Sequence, residues 1–274
     1  MSFTETVSNT TLDLLSNLKN LKINFDEFQL IRDEMNNQIK EQTNLVPALR
    51  GYVNFFRIVL RDFVDYNSII ETIDNLKLDE FRIFCLNLFN SVYLKIFIHG
   101  TLNKENSIKL AEDIKTYFKK SNSISPNAKD YINKHADLSG YFIFREQLNQ
   151  SYNVNHAVLN FYQIGQESIQ NIINANMVKA LCGGIYYTEL RVKEQLGYIA
   201  KGKVFSEGNV IYYLIKVQGS HKTPDFMDLR IENLLSLMRK KIENTDEKMF
   251  EKYKILVSKK ISKKDKNIKK RSLR

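Results

Sequence analysis

Residues 186–200 read YYTELRVKEQLGYIA. The first part has helical spacing, with Glu189 and Lys193 placed as an i,i+4 ion pair. The second part ends the helix: Gly197 offers the left-handed conformation that closes a helix, and Tyr198 opens a run of strand type. A helix that passes straight into a strand is the junction of a layered helix-and-sheet structure, and the flanking sequence extends the pattern in both directions.

Downstream, Tyr198–Phe205 and Val210–Gln218 alternate on either side of Ser206, Glu207, Gly208 and Asn209, which predicts a hairpin with a four-residue turn. Thr223 followed by Pro224 marks a helix start, with Phe226, Leu229, Leu234, Leu237 and Met238 as its apolar face. A further helix is expected near Asp246–Val257. Upstream, Ile169–Leu181 reads as a helix stopped by Gly183 and Gly184, preceded by strands at Tyr141–Arg145 and Val154–Tyr162. The fold class is therefore α+β, a sheet with helices packed on one face.

The N-terminal part reads differently. Leu12, Leu15, Leu18 and Leu21 recur at helical spacing, followed by Phe25, Phe28, Ile31 and Met35 on a helix opening near Asp26. A third helix starts after Pro47 and carries Val53, Phe56, Val59, Leu60 and Phe63. Val92, Leu94, Ile96 and Ile98 alternate with Tyr93, Lys95 and Phe97 as a strand does, Gly100 ends it, and Asn103 is placed to cap a helix from Lys104. The polar stretch KKSNSISPNAKD, Lys119–Asp130, lacks periodicity and is the natural linker. Two domains are expected, 1–132 and 133–274.

The 274 residues are 43% hydrophobic, enough for packed cores. The formal charge of +10 is local. Residues 251–274 hold nine Lys and two Arg against one Glu and one Asp, so the preceding 250 residues are close to neutral. The N-terminal MSFTETVSN has neither the basic start nor the apolar stretch of a secretory signal, and no apolar run reaches the roughly 18 residues of a membrane span. Cys85 and Cys182 have no metal or disulfide spacing and read as reduced thiols. A cytoplasmic protein without membrane partners is expected.

A zinc hydrolase needs two ligands one helical turn apart, as in H-E-x-x-H or H-x-x-E-H. His99, His135, His156 and His221 are followed by Gly-Thr-Leu-Asn, Ala-Asp-Leu-Ser, Ala-Val-Leu-Asn and Lys-Thr-Pro-Asp, so none opens such a motif. No metal ligand is assigned. Nor is there a G-x-S-x-G elbow, a G-x-x-x-x-G-K-[ST] loop or a G-x-G-x-x-G turn opening a βαβ unit.

The string Leu190-Arg191-x-Lys193-Glu194-Gln195-Leu196-Gly197-Tyr198 closely resembles a segment in the C-terminal half of the insulysin/pitrilysin family of inverted-motif zinc metallopeptidases. The likeness continues in family order through Phe25–Asn44, Tyr52–Leu60, Ile96–Gly100, Leu159–Gln163 and Asn244–Tyr253. It implies two incomplete α/β roll domains of the metallopeptidase (LuxS/mitochondrial-processing-peptidase-like) type. Residues 1–132 would be the latter part of the family's third domain, and 133–274 a truncated fourth domain with a basic tail.

By that resemblance, Arg191 and Tyr198 reach substrate near the scissile bond and support the transition state, with Lys193, Glu194 and Gln195 as supporting contacts. A guanidinium and a neutral phenol can both donate to a peptide carbonyl or its developing oxyanion. The implied role is that of a noncatalytic half which completes a peptide-binding chamber. Its partners are a peptide substrate and a zinc-bearing N-terminal half or paralogue, which holds the zinc that this chain does not bind, and no peptidase activity is expected from the chain alone. The chain would be a truncated or split gene product or a degenerate paralogue. Two alternatives are a scaffold that only binds, and a nucleic-acid or acidic-surface binder acting through its basic tail; that tail lacks the interleaved aromatics that stack on bases.

Overall fold

A computed structural model describes residues 6–43, 45–119, 121–123, 136, 138–148 and 154–262. In chain order the elements are α1 (Val7–Lys19), α2 (Phe25–Thr43), α3 (Pro47–Val59), α4 (Tyr66–Asn75), α5 (Leu78–Asn87), β1 (Ser91–Val92), α6 (Lys104–Tyr117) and β2 (Asn122–Ser123). There follow β3 (His156–Gln166), α7 (Ile169–Cys182), a π-helix (Tyr186–Lys193), β4 (Ile199–Glu207), β5 (Val210–Gly219), α8 (Pro224–Glu243) and α9 (Glu247–Ile261). No helix among the described residues is long and apolar enough to cross a membrane. The basic tail beyond Ser262 and most of the expected linker lie outside the described residues.

The described residues form two compact units, one from those up to Lys40 and from Tyr66 to Ser123, the other from Glu41 to Asp65 and from Ala136 to Ser262. In the first, Leu12 and Leu15 of α1 pack on Leu110, Ile114 and Phe118 at α6, together with Phe89, Val92 and Ile98. Asn103 caps α6 by accepting the Asn106 N–H at 2.8 Å, satisfying one of the donors that a helix start leaves over. Asn24 and Glu27 exchange bonds at the start of α2 as a capping box, two residues before the expected Asp26. The strand expected over Val92–Ile98 is reduced to Ser91–Val92, paired in parallel with Asn122–Ser123. Residues 93–98 carry no strand assignment among the described residues, and alternation alone does not fix a strand's length.

The second unit is built on an antiparallel sheet of order β3-β5-β4. Successive side chains of a strand point to opposite faces, and central β5 is buried on both. On one face Tyr213, Ile215 and Val217 meet Leu181 and Cys182 of α7, Leu190 of the π-helix, and Met227, Ile231, Leu234 and Met238 of α8. Full burial of one such aliphatic side chain stabilises by about 1.5–3 kcal/mol, so this cluster holds the unit together. On the other face Tyr212 and Phe205 meet Phe55 and Val59 of α3, with Phe55 stacked on Phe161 at 3.9 Å between ring centres. The main helical layer covers one face as the sequence predicts, and α3 adds a partial second cover.

Three local expectations change. The hairpin turn has two residues, not four: Glu207 pairs with Val210, and Gly208 and Asn209 take φ of 53° and 66°, the primed geometry that matches strand twist. Helix α8 begins at Pro224 with the Thr223 hydroxyl as cap, but its buried stripe is Met227, Ile231, Leu234 and Met238, while Phe226, Leu229 and Leu237 are exposed. Tyr141–Arg145 forms no strand: no described residue pairs with it, and Tyr141, Phe142, Ile143 and Phe144 are exposed.

Candidate functional site

The stretch 186–200 forms a helix-to-strand junction, but a wider one than helical spacing suggested. Tyr186–Lys193 is π-helical, and the Glu194 N–H bonds to the Glu189 carbonyl at 2.9 Å, five residues back. Extended π-helix is rare, and its single turns are frequent at functional sites. Tyr186 and Leu190, one turn apart, are its buried side. The Tyr186 ring lies against Gly202 of β4, where a Cβ would sit 2.6 Å from Tyr186 Cζ. That approach brings the Tyr186 hydroxyl into a short hydrogen bond with the hydroxyl of Tyr213 on β5. Burial drives both phenols above their ordinary range, Tyr213 to about 12.

The junction closes differently from the sequence expectation. The left-handed residue is Gln195, with φ of 49°, and Leu196 N–H then bonds to the Leu190 carbonyl at 2.9 Å. Gly197 is required for close approach instead. A Cβ there would lie 2.1 Å from the Gln218 carbonyl oxygen and 2.7 Å from Gly219 Cα, both backbone atoms at the end of β5. The start of β4 is thereby pressed onto the end of β5, with Leu196 fully buried in front of it.

This framework presents the candidate residues. Arg191 is exposed at the last turn of the π-helix, its guanidinium 5.4 Å from the centre of the Tyr187 ring. Tyr198, at the mouth of β4, is 52% exposed. Its hydroxyl accepts a short hydrogen bond from the Gln218 side-chain amide. Of the supporting residues, Lys193 pairs with Glu189 at 2.8 Å as the sequence predicts. Glu194 instead forms a two-pronged ion pair with Arg230 of α8, one prong at 2.6 Å, anchoring the end of the π-helix. Gln195 is the exposed turn residue.

Two features escape the motif. Gln218 is 1% exposed, and its side-chain oxygen accepts the Ala48 N–H at the start of α3 at 2.8 Å. Only its place at the end of an alternating strand, a polar residue after Ile215 and Val217, hinted at a buried role. On the same face of β5 as Gln218, Lys216 lies opposite Lys201 of β4, and Lys203 stands two residues further along. Lys203 and Lys216 approach the Tyr52 ring at 5.6 and 5.2 Å from its centre. Burial, then the charges of Lys201 and Lys203, lowers the pKa of the Lys216 ammonium.

Cys182 is a buried thiol whose burial raises its pKa, and Cys85 is half-buried. Neither has the setting of an activated nucleophile. Among the described residues, no three His, Cys, Asp or Glu side chains gather so as to hold a metal ion, so these residues do not fit the family's zinc. His135 lies outside the described residues.

Comparison with known proteins places this geometry. The family model described as PQQ synthase PqqF-like, C-terminal lobe domain 4, matches residues 177–274, which include the whole junction. Human insulin-degrading enzyme is 21% identical over 252 residues, covering 88% of this chain and 24% of that protein. A nardilysin-like protein of Arabidopsis thaliana is 22% identical over 260 residues, covering 92% of this chain and 25% of its own length. The crystal structure of pitrilysin superposes over 99% of this chain and 28% of its own, with a TM-score of 0.74 at 12% identity. The chain thus spans about a quarter of the length of these relatives. Likeness in sequence order, a domain model matching residues 177–274 and a shared fold agree, and the chain resembles the C-terminal half of the insulysin/pitrilysin family.

Proposed function

We propose that this chain is the substrate-contacting, noncatalytic half of an insulysin-like metalloendopeptidase. Residues 1–132 correspond to the latter part of the family's third domain and 133–274 to most of the fourth. It completes a peptide chamber whose zinc and general base belong to an N-terminal half or paralogue. Arg191 and Tyr198 hold the peptide near the scissile bond.

The observation that supports this reading is the contrast within one short segment. Leu190 and Leu196 are fully buried, and Glu194 is tied to Arg230. Between and beside these anchors Arg191 and Tyr198 are exposed on the same junction. Donors fixed in place before the reaction stabilise a developing oxyanion without having to reorganise. A guanidinium and a phenol hydroxyl both act as hydrogen-bond donors to a carbonyl oxygen. Lys201, Lys203 and Lys216, on the sheet face that carries Gln218, favour a peptide with acidic side chains.

The test is hydrolysis of a fluorogenic peptide by this chain alone and mixed with a zinc-bearing N-terminal half of insulin-degrading enzyme. Turnover is expected only in the mixture. Arg191→Ala and Tyr198→Phe should each lower kcat at least tenfold while sedimentation shows the assembly intact. No turnover in the mixture, or variants as active as the parent, overturns the assignment.

A further inference from the structure

Gln218 is a polar side chain buried at 1% exposure, with both ends of its amide engaged. Its oxygen meets the Ala48 N–H at 2.8 Å, and its nitrogen meets the Tyr198 hydroxyl. The orientation of the amide is not free. A backbone N–H can only donate, so the oxygen must face Ala48 and the NH2 must face Tyr198. Ala48 lies in the first turn of α3, next to Pro47, where backbone N–H groups have no partner within the helix and the helix dipole is positive. Gln218 is therefore both the cap of α3 and a donor to Tyr198.

The Tyr198 hydroxyl consequently receives a hydrogen bond on its oxygen from inside the protein, and its own proton is left to point outward. A chain of donors runs one way, from the α3 terminus through the Gln218 amide to the phenol oxygen, and aligned hydrogen bonds polarise one another. Without that donor the hydroxyl could turn its proton inward to any acceptor.

We infer that Gln218 is a positioning residue for Tyr198, fixing the phenol as an outward hydrogen-bond donor to the substrate and strengthening it through the α3 terminus. This rests on the reading of Tyr198 as a substrate contact. Gln218 touches no substrate and acts only through Tyr198. The close approach of Gly197 to the Gln218 backbone serves the same end, setting the two residues at a fixed spacing across the β4–β5 pair.

Two substitutions separate this role from a merely structural one. Gln218→Glu keeps an oxygen for the Ala48 N–H but replaces the donor to Tyr198 by an acceptor, which draws the phenol proton inward. Gln218→Met removes both bonds. In the mixture with the zinc-bearing half, each should lower kcat about tenfold with KM changed less than twofold, and neither should cause a further loss when combined with Tyr198→Phe. Equal losses in the parent and in the Tyr198→Phe background would overturn the inference, as would a Gln218→Glu variant with parental kcat.

A second measurement does not depend on turnover. In the full chain labelled at the tyrosine Cζ carbon, the Tyr198 resonance, identified by its absence in Tyr198→Phe, should shift in Gln218→Glu while that of Tyr187 stays in place. An unmoved resonance overturns the contact itself. If the resonance moves but Tyr198→Phe leaves kcat unchanged, the substrate role of Tyr198 is what fails.

Discussion

Gly197→Ala places one methyl group where there is no room for it. The added carbon would lie 2.1 Å from the Gln218 carbonyl oxygen, 2.6 Å from its carbon and 2.7 Å from Gly219 Cα. None of these is the movable end of a side chain, so relief requires the start of β4 to withdraw from the end of β5 by about 1 Å to reach ordinary contact. That breaks the Ile199–Gln218 pairing and loosens the cover over Leu196. Overpacking of this kind costs about 1–3 kcal/mol, against a gain of about 0.4–1 kcal/mol from a less flexible unfolded chain. A net loss of about 1–2 kcal/mol is the expectation, which at a urea slope of roughly 1–3 kcal/mol/M lowers the midpoint by about 1 M. The chain has no Trp, so tyrosine fluorescence reports unfolding, and hydrogen exchange in β5 peptides localises the damage. Gly184→Ala is the control, since a Cβ there meets nothing within 4 Å. A Gly197→Ala midpoint within error of the parent, with Gly184→Ala no better, would refute the close-approach argument.

Two predictions concern pH. Tyr186 and Tyr213 have pKa values raised above the unfolded value of 10.0, Tyr213 to about 12, so the unfolded state releases those protons first. The stabilisation they give is complete below pH 10 and is lost as pH rises through the folded values. Alkaline unfolding followed by phenolate absorbance should therefore show a steep loss above pH 10, and Tyr186→Phe/Tyr213→Phe should flatten it. Glu146 is shifted the other way, below its usual 4.5, first by its hydrogen bond to Arg50, which binds it at 2.9 Å, and also by Asn54. Its contribution is present above that value and lost as pH falls through the lower folded one. Glu146→Gln should lower Tm at pH 7 and narrow the gap between Tm at pH 7 and at pH 3.

The sequence disclosed what local chemistry decides. Thr223-Pro224, Asp246 and Asn103 each cap the helix they promise, because a cap needs only its own first turn. Pairing was less legible. Tyr141–Arg145 and Leu94–Ile98 have the composition of strands, yet neither is assigned one among the described residues, and composition does not name the neighbour a strand needs. Gly197 was identified as a special glycine for the wrong reason: its constraint comes from Gln218 and Gly219, some twenty residues away in sequence. The same distance hid Gln218, whose two partners at positions 48 and 198 become neighbours only in the folded chain. The expected stripe on α8 was right at Leu234 and Met238 and wrong elsewhere. Phe226, Leu229 and Leu237 are apolar enough to seem internal, and only the direction of the sheet selects Met227 and Ile231 in their place.

Helix α3 carries a consequence for how such a chain can be divided. Although it precedes Tyr66–Ser123 in sequence, it packs on Phe161, Phe205 and Tyr212 of the second unit, whose remaining described residues begin at Ala136. The stretch from Tyr66 to Ser123 is thus an insertion within the second unit as much as a part of the first. A single cut near residue 132, by protease or by gene fission, would strand α3 on the wrong product. It would leave one sheet face bare and the Gln218 amide without its helix. Residues 133–274 made alone would therefore present Phe161, Phe205 and Tyr212 without the helix that packs on them.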